Sequence, residues 1–185
     1  MARRGNMEGA FARLHLKLVC GIIFFTVTCL EAYSAFVYAD ELSQPQSDVI
    51  LTVTGRLDNH NANGAVLLDR PMIEKIGLRE LQTRTIYSST PHLWHGVLMR
   101  DLLDYVGSMG EQVEFRALDG YSVTIPIKDF YDHDVLLAIR KNGEDLSIRR
   151  RGPTRLIYPR DLDTSLLDPK YAARSVWQIE KMIVK

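Results

Sequence analysis

Residues 93–107 read LWHGVLMRDLLDYVG, a tryptophan and a glycine followed by an amphipathic run. From Leu98 onward, apolar residues at positions 98, 102, 103 and 106 recur at helical spacing, with charged residues between them. Gly107 follows the last of these apolar residues, a place where glycine commonly ends a helix. The stretch therefore predicts a short helix that begins after Trp94 and Gly96 and ends at Gly107.

The sequence on either side is richer in strand patterns than in helix patterns. Asp-Gly at 119–120 and Asn-Gly at 142–143 predict hairpin turns, and Asp69 with Pro71 predicts the start of a helix that ends at Gly77. Strands are predicted by β-branched or alternating segments at 49–55, 81–89, 111–118, 121–126, 134–141 and 175–185. The segment 149–159 combines three Arg, a Gly-Pro turn and a further apolar strand. This order predicts one α+β domain with mixed β-sheets and short connecting helices.

The composition is that of an ordinary globular protein without a global charge. The chain has 185 residues, 46% of them hydrophobic, which is enough to form a core. It holds 23 Lys and Arg against 23 Asp and Glu, so no long-range field favours nucleic acid. We therefore predict no nucleic-acid partner.

The N-terminus has the organisation of a secretory signal peptide. Basic residues precede the apolar run at 18–30, which is shorter than the ~20 residues needed to span a bilayer. Val37 and Ala39 place small residues before a cleavage site at Asp40. We predict a periplasmic or secreted protein with no membrane span after cleavage; an uncleaved anchor is the alternative. The predicted divisions are a signal peptide at 1–39, a linker at 40–48 and a folded domain at 49–185.

Cysteine occurs only twice, as Cys20 and Cys29, and both lie inside the predicted signal peptide. The chain that follows therefore has no disulfide and no thiolate that could act as a nucleophile or bind a metal.

Five groups of short motifs follow one another along the domain. They are Trp94-x-Gly96-Val97 with Arg100-Asp101-Leu102-Leu103, Asp119-Gly120-Tyr121 with Ile125-Pro126, Leu136-Leu137-Ala138 with Asn142-Gly143, Gly152-Pro153-x-Arg155-Leu156 with Pro159, and Trp177-x-Ile179. In this order, the set resembles the sulfite-oxidase-like, molybdopterin-binding oxidoreductase domain. The resemblance runs from about Val49 to the C-terminus, and it implies the sulfite-oxidase-like fold in its short, exported version.

The resemblance implies a metal-binding cysteine that this chain lacks. In catalytic members, the strand before W-x-G-V ends in a cysteine whose thiolate binds molybdenum; the matching position here is Ser88, or Ser89 after a one-residue shift. A serine alkoxide is a hard donor with a far higher pKa than a thiol, so it does not simply replace a thiolate. We therefore expect no catalytic residue, no metal and no cofactor. The alternative is an active molybdopterin-dependent oxidoreductase with atypical metal ligation.

The family's cleft is then expected to serve as a binding module for a small anionic ligand or an envelope partner protein. Guanidinium groups and turn amides suit a phosphate or carboxylate, and the family binds a phosphorylated pterin near the Gly152-Pro153 turn. The residues predicted to line this cleft are Ser88, Trp94, His95, Tyr121, Arg151 and Arg155. A purely structural role, with a filled cleft, is a third interpretation.

Other reactive residue types have simpler explanations. Arg149-Arg150-Arg151 is also compatible with a solvated basic turn. His92 and His95 have no third zinc ligand nearby, and Asp132-His133-Asp134 lies in a polar loop. No G-x-S-x-G motif surrounds Ser88, which argues against a hydrolase nucleophile.

Overall fold

Ten strands and four short α-helices are formed by residues 42–185, the part of the chain that the computed structural model describes. The strands are β1 (Val49–Gly55), β2 (Ala65–Asp69), β3 (Leu78–Thr85), β4 (Ser88–Leu98), β5 (Gln112–Ala117), β6 (Ser122–Pro126), β7 (Leu136–Lys141), β8 (Glu144–Asp145), β9 (Arg155–Ile157) and β10 (Ile179–Val184). The α-helices are α1 (Arg70–Gly77), α2 (Met99–Tyr105), α3 (Lys128–Asp132) and α4 (Pro169–Arg174). Short 3-10 helices lie at Ile148–Arg150 and Thr164–Leu167. The predicted α+β class is confirmed.

The predicted signal peptide at 1–39 lies outside the described residues. Between residues 42 and 185, no helix combines the length and the apolar character that crossing a bilayer requires.

The strands form two five-stranded sheets. The first has the order β2-β1-β10-β5-β6, in which β1 and β10 run parallel and the other neighbours run antiparallel. The second has the order β3-β4-β7-β8, and β9 also pairs with β7. Alternate residues of the central strands enter one core; Val53 of β1, Phe115 of β5 and Leu137 of β7 are all fully buried there.

The stretch 93–107 is a strand followed by a helix; the helix agrees with the prediction to within a residue at its start, whereas the strand before it was not predicted. Residues up to Leu98 belong to β4, and the helix is confined to Met99–Tyr105. The W-x-G-V motif therefore lies at the end of a strand that leads directly into a helix. The reason is tertiary, because β4 pairs with β3 on one side and with β7 on the other. The predicted stop at Gly107 agrees with the structure, since its φ of 62° is one that glycine adopts readily.

Gly96 has a packing role in this strand. An added Cβ would lie 2.0 Å from the Leu137 carbonyl oxygen and 2.7 Å from the Ala138 Cα. Both atoms belong to the backbone of β7, so only a residue without a side chain lets the two strands approach at this point.

One predicted strand is divided in the structure, and one strand of the structure was not predicted. The segment 81–89 is divided, because β3 ends at Thr85 and the chain turns at Ile86-Tyr87 before β4 begins. Strand β2 was not predicted, although four of its five residues are buried. Its short apolar run of Ala, Val and Leu shows neither strand alternation nor helical spacing, so periodicity alone does not identify it.

Asp69 begins α1, as predicted, and also holds part of the predicted linker against the domain. Its carboxylate accepts hydrogen bonds from the backbone N–H of Met72, Gln46 and Ser47 and from the Ser47 hydroxyl. Burial raises the pKa of Asp69, but these four hydrogen bonds outweigh that effect, so the pKa lies below its ordinary value. The carboxylate is therefore the form that the fold stabilises.

We expect Asp69→Ala to lower the free energy of unfolding by about 2–3 kcal/mol, because a helix cap and several bonds to a charged group are lost. Since the pKa of Asp69 is lowered on folding, this stabilisation is present above the ordinary pKa of about 3.9 and is lost as the pH falls through the folded value. Urea denaturation at pH 7 and pH 3 measures both effects. The control is Asp48→Ala at an exposed position; an equal loss in the two variants would contradict the role of Asp69.

Candidate functional site

A cavity of about 560 Å³ lies beside the β3–β4 hairpin. Its walls are strand β4, the β7–β8 hairpin and the arginine-rich segment that precedes β9. The charged residues of its lining are Lys141, Glu144, Asp145, Arg149, Arg150, Arg151 and Arg155. Five of these seven are cationic, so the lining carries an excess of positive charge.

The two acidic residues of the lining are both engaged with other cations. Asp145 lies 2.9 Å from Arg140 and 3.3 Å from Arg70, which are not part of the lining. Glu144 forms an ion pair with Arg150. The other cations of the cavity are therefore not neutralised by these carboxylates.

Arg155 is the most buried of these cations. It begins β9, and its side chain is only 5% exposed. Its Nε and Nη2 atoms have no hydrogen-bond partner among the described residues. Its Cζ lies 5.2 Å from the centre of the Trp94 ring and 5.9 Å from that of Trp177. Burial and the neighbouring Arg151 lower the pKa of Arg155 to about 10, so the guanidinium is still charged at neutral pH.

Arg151 packs against two aromatic rings at the edge of the cavity, and these rings also contact each other edge-on. Its Cζ is 4.6 Å from the centre of the Tyr87 ring and 4.7 Å from that of Trp177. Its φ of 67° places it in the left-handed region at the end of the 3-10 turn. Both rings are within the range of a cation–π contact, so Arg151 ties the β3–β4 hairpin to the segment before β10.

Ser88, His92 and Asn142 are linked by a chain of hydrogen bonds. The Ser88 hydroxyl donates to the Thr90 carbonyl at 3.0 Å and lies 3.0 Å from His92 Nε2. Asn142 Nδ2 approaches His92 Nδ1 at 3.5 Å, while its Oδ1 accepts from the Leu93 N–H.

The chain of hydrogen bonds is not that of an activated nucleophile. A general base must accept the proton of the hydroxyl, whereas the Ser88 hydroxyl is directed at the Thr90 carbonyl. The pKa of His92 is lowered by burial and by the nearby charges of Lys141 and Arg155, so the ring stays neutral near pH 7. This supports the expectation that Ser88 is not a hydrolase nucleophile.

The structure brings together four of the six residues that were predicted to line a cleft, and two lie elsewhere. Ser88, Trp94, Arg151 and Arg155 line the cavity. His95 is next to Trp94 on β4, so its side chain points to the other face of the sheet, where it lies 3.2 Å from Glu80.

Tyr121 also lies outside the cavity. It lines a smaller depression of about 190 Å³, and its hydroxyl donates to the Ala173 carbonyl at 2.9 Å. Ser88 and Arg155 therefore share a cavity in which Tyr121 takes no part.

Sequence reasoning missed six polar or aromatic residues of the cavity: Thr85, Tyr87, Lys141, Asn142, Glu144 and Asp145. It considered His92 as a zinc ligand and as a possible partner of a Ser88 nucleophile, but not as part of the cavity lining. The sequence contained a partial signal for Lys141, since it is the polar end of an otherwise apolar strand. Its pairing with Trp94 is a contact between distant residues, which no local pattern reveals.

No metal centre is indicated within residues 42–185, where no three His, Cys, Asp or Glu side chains are grouped closely enough to hold an ion. His92 and His95 are three residues apart on a strand, so they point to opposite faces. The members of Asp132-His133-Asp134 contact different partners: Lys128, Tyr171 and Arg100 respectively.

Comparisons with known proteins agree with the motifs. The family model described as oxidoreductase molybdopterin binding domain matches residues 74–166, which is 93 of the 185 residues. The crystal structure of the sulfane dehydrogenase SoxCD from Paracoccus pantotrophus is similar, with a TM-score of 0.53 and 14% identity. That match covers 78% of this chain and 40% of the SoxCD chain, and it shows a shared fold. No curated protein matches the sequence. The chain belongs to the molybdopterin-binding oxidoreductase domain family and has its sulfite-oxidase-like fold.

Proposed function

We propose that this protein is an exported, non-catalytic member of the family that binds a small anionic ligand in the cavity around Arg155. The observation that carries the proposal is the buried Arg155 guanidinium, which has two nitrogen atoms without hydrogen-bond partners. A buried charge is costly unless it is paired and hydrogen-bonded. A phosphate or carboxylate in the cavity would provide both the missing charge and the missing acceptors.

The remaining lining supports the same ligand chemistry. Arg149 and Lys141 add positive charge around the cavity, and its acidic residues are occupied by other partners. An anion entering the cavity therefore meets unneutralised cations and few competing carboxylates. The open volume at Ser88 argues against the purely structural interpretation, which required a filled cleft.

The residues of the cavity fit one end of a molybdopterin cofactor and do not fit its metal. The cationic lining suits a phosphate group. At the position where catalytic members carry the metal-binding cysteine, this chain has the Ser88 hydroxyl, which is hydrogen-bonded to the His92 imidazole. Neither is a soft thiolate, and the described sequence contains no cysteine that could supply one.

The competing function is an active oxidoreductase with atypical metal ligation. It would require Ser88 to lose its proton and exchange its bonds to Thr90 and His92 for a metal bond. The hydrogen bonds of Ser88 stabilise the protonated hydroxyl, since that proton is donated to a carbonyl. A non-catalytic binding function therefore needs no change in the protonation of the site.

Native mass spectrometry of protein recovered from the cell envelope tests the proposal. We expect a chain that begins at Asp40, as the predicted cleavage site requires, and that carries a small anion released on acidification. We also expect far less than one molybdenum atom per chain by elemental analysis of the same sample. Molybdenum near one atom per chain, together with electron transfer to a dye, would overturn the non-catalytic proposal.

A further inference from the structure

A primary amine lies in the same cavity, close to Arg155. Lys141 ends β7 and pairs in register with Trp94 of β4. Its Nζ lies 5.5 Å from the centre of the Trp94 ring, and the Arg155 Cζ lies 5.2 Å from the same centre. One aromatic ring is therefore shared by two cations, of which only the lysine can readily give up its charge.

The surroundings of Lys141 contain cations and no available carboxylate. Glu144 stands opposite Lys141 in the hairpin, but its carboxylate pairs with Arg150. Asp145, the next residue, pairs with Arg140 and Arg70.

The environment of Lys141 favours its neutral amine. Burial and then the charges of Arg155, Arg151 and Arg150 lower the pKa of Lys141. A lysine beside other cations is a known form of activated amine, because the neutral form is the nucleophile.

Three other lysines in the described chain lie beside carboxylates. Lys128 contacts Asp132, Lys170 lies 3.8 Å from Asp168, and Lys185 contacts Glu114. Lys141 therefore differs from these three in both its location and its electrostatic neighbours.

We propose that Lys141 forms an imine with an anionic carbonyl compound, a phosphorylated aldehyde or a 2-oxo acid, held in the cavity by Arg155. The proposal rests on the anion site proposed above. The Nζ lone pair adds to the carbonyl carbon, and a proton moves from nitrogen to oxygen to give a carbinolamine. Loss of water then leaves a C=N bond in place of the C=O bond. No oxidant or reductant takes part, so the step is reversible.

Pyridoxal 5′-phosphate, an aldehyde with a phosphate group, is a suitable probe for the full chain. The imine is reduced with borohydride, and the labelled lysine is identified by peptide mass mapping. We expect Lys141 to be the main labelled residue, and we expect the label there to be lost in Lys141→Arg. That variant keeps the positive charge and removes the nucleophile. Lys128→Arg, at an exposed and ion-paired position, is the matched control and should leave the labelling of Lys141 unchanged.

Pyridoxine 5′-phosphate separates this proposal from the anion site, because it has an alcohol where the probe has an aldehyde. Calorimetric binding of pyridoxine 5′-phosphate to both the native protein and Lys141→Arg is the expected result. If pyridoxine 5′-phosphate binds but pyridoxal 5′-phosphate labels Lys141 no more than Lys128, the imine is excluded and the anion site stands. If pyridoxine 5′-phosphate does not bind and pyridoxal 5′-phosphate does not label Lys141, both proposals are overturned.

Discussion

Gly96→Ala is expected to lower the free energy of unfolding by about 3 kcal/mol, because overpacking against rigid backbone is among the costliest single changes. The new methyl group would lie 2.0 Å from the Leu137 carbonyl oxygen. That oxygen belongs to the central strand β7 and cannot move away by a change of rotamer. Since small domains are stable by only about 5–15 kcal/mol, such a loss is a large fraction of the total.

Thermal and urea denaturation of the variant measure this effect. Gly64→Ala is the matched control, because nothing lies within 4 Å of its added methyl group while its φ of 68° disfavours a side chain. That control should cost only about 1–2 kcal/mol of backbone strain. Equal losses in the two variants would show that the close approach of β4 to β7 is unimportant for stability.

Arg155→Met is expected to weaken binding of pyrophosphate, used as a model anion, by about 10- to 100-fold. This corresponds to the 1.5–3 kcal/mol typical of hydrogen bonds to charged groups. The same change should leave the ligand-free protein equally stable or more stable, because it replaces a buried and unpaired charge with an apolar side chain of similar length. A residue that merely supports the fold would not combine weaker binding with undiminished stability.

Calorimetry with pyrophosphate and thermal denaturation without it measure the two effects of Arg155→Met. The matched control is Arg116→Met, which removes a guanidinium from β5 in the other sheet, where it pairs with Glu114 at 2.6 Å. Pyrophosphate binding should be unchanged in the control. Unaltered binding in Arg155→Met, or a large loss of its stability without ligand, would contradict the proposed role of Arg155.

Local patterns predicted those parts of the fold whose signals lie within a few neighbouring residues. The helix at Arg70–Gly77, its cap at Asp69 and both hairpin turns, at 119–120 and 142–143, agree with the structure. The end of the helix at Gly107 agrees as well. Each of these depends on capping, on turn chemistry or on glycine's freedom at positive φ, which act over short distances.

The errors occurred where distant parts of the chain meet. Residues up to Leu98 continue β4 because β3 and β7 hydrogen-bond to them, and β7 lies about forty residues further along the chain. Contacts between distant residues also limited the prediction of the cavity lining. Arg155 was identified from its motif, but Lys141 reaches the cavity only through its register with Trp94. His95 was included because of its sequence neighbour, although adjacent residues of a strand face opposite sides.

The position of β10 in its sheet also constrains how the domain is synthesised. This strand lies between β1 and β5, so residues near both ends of the domain must meet in the middle of one sheet. A nascent chain that lacks Ile179–Val184 leaves the facing edges of both neighbouring strands unpaired, and the sheet cannot close. Folding of this sheet therefore cannot be completed before Ile179–Val184 have been synthesised.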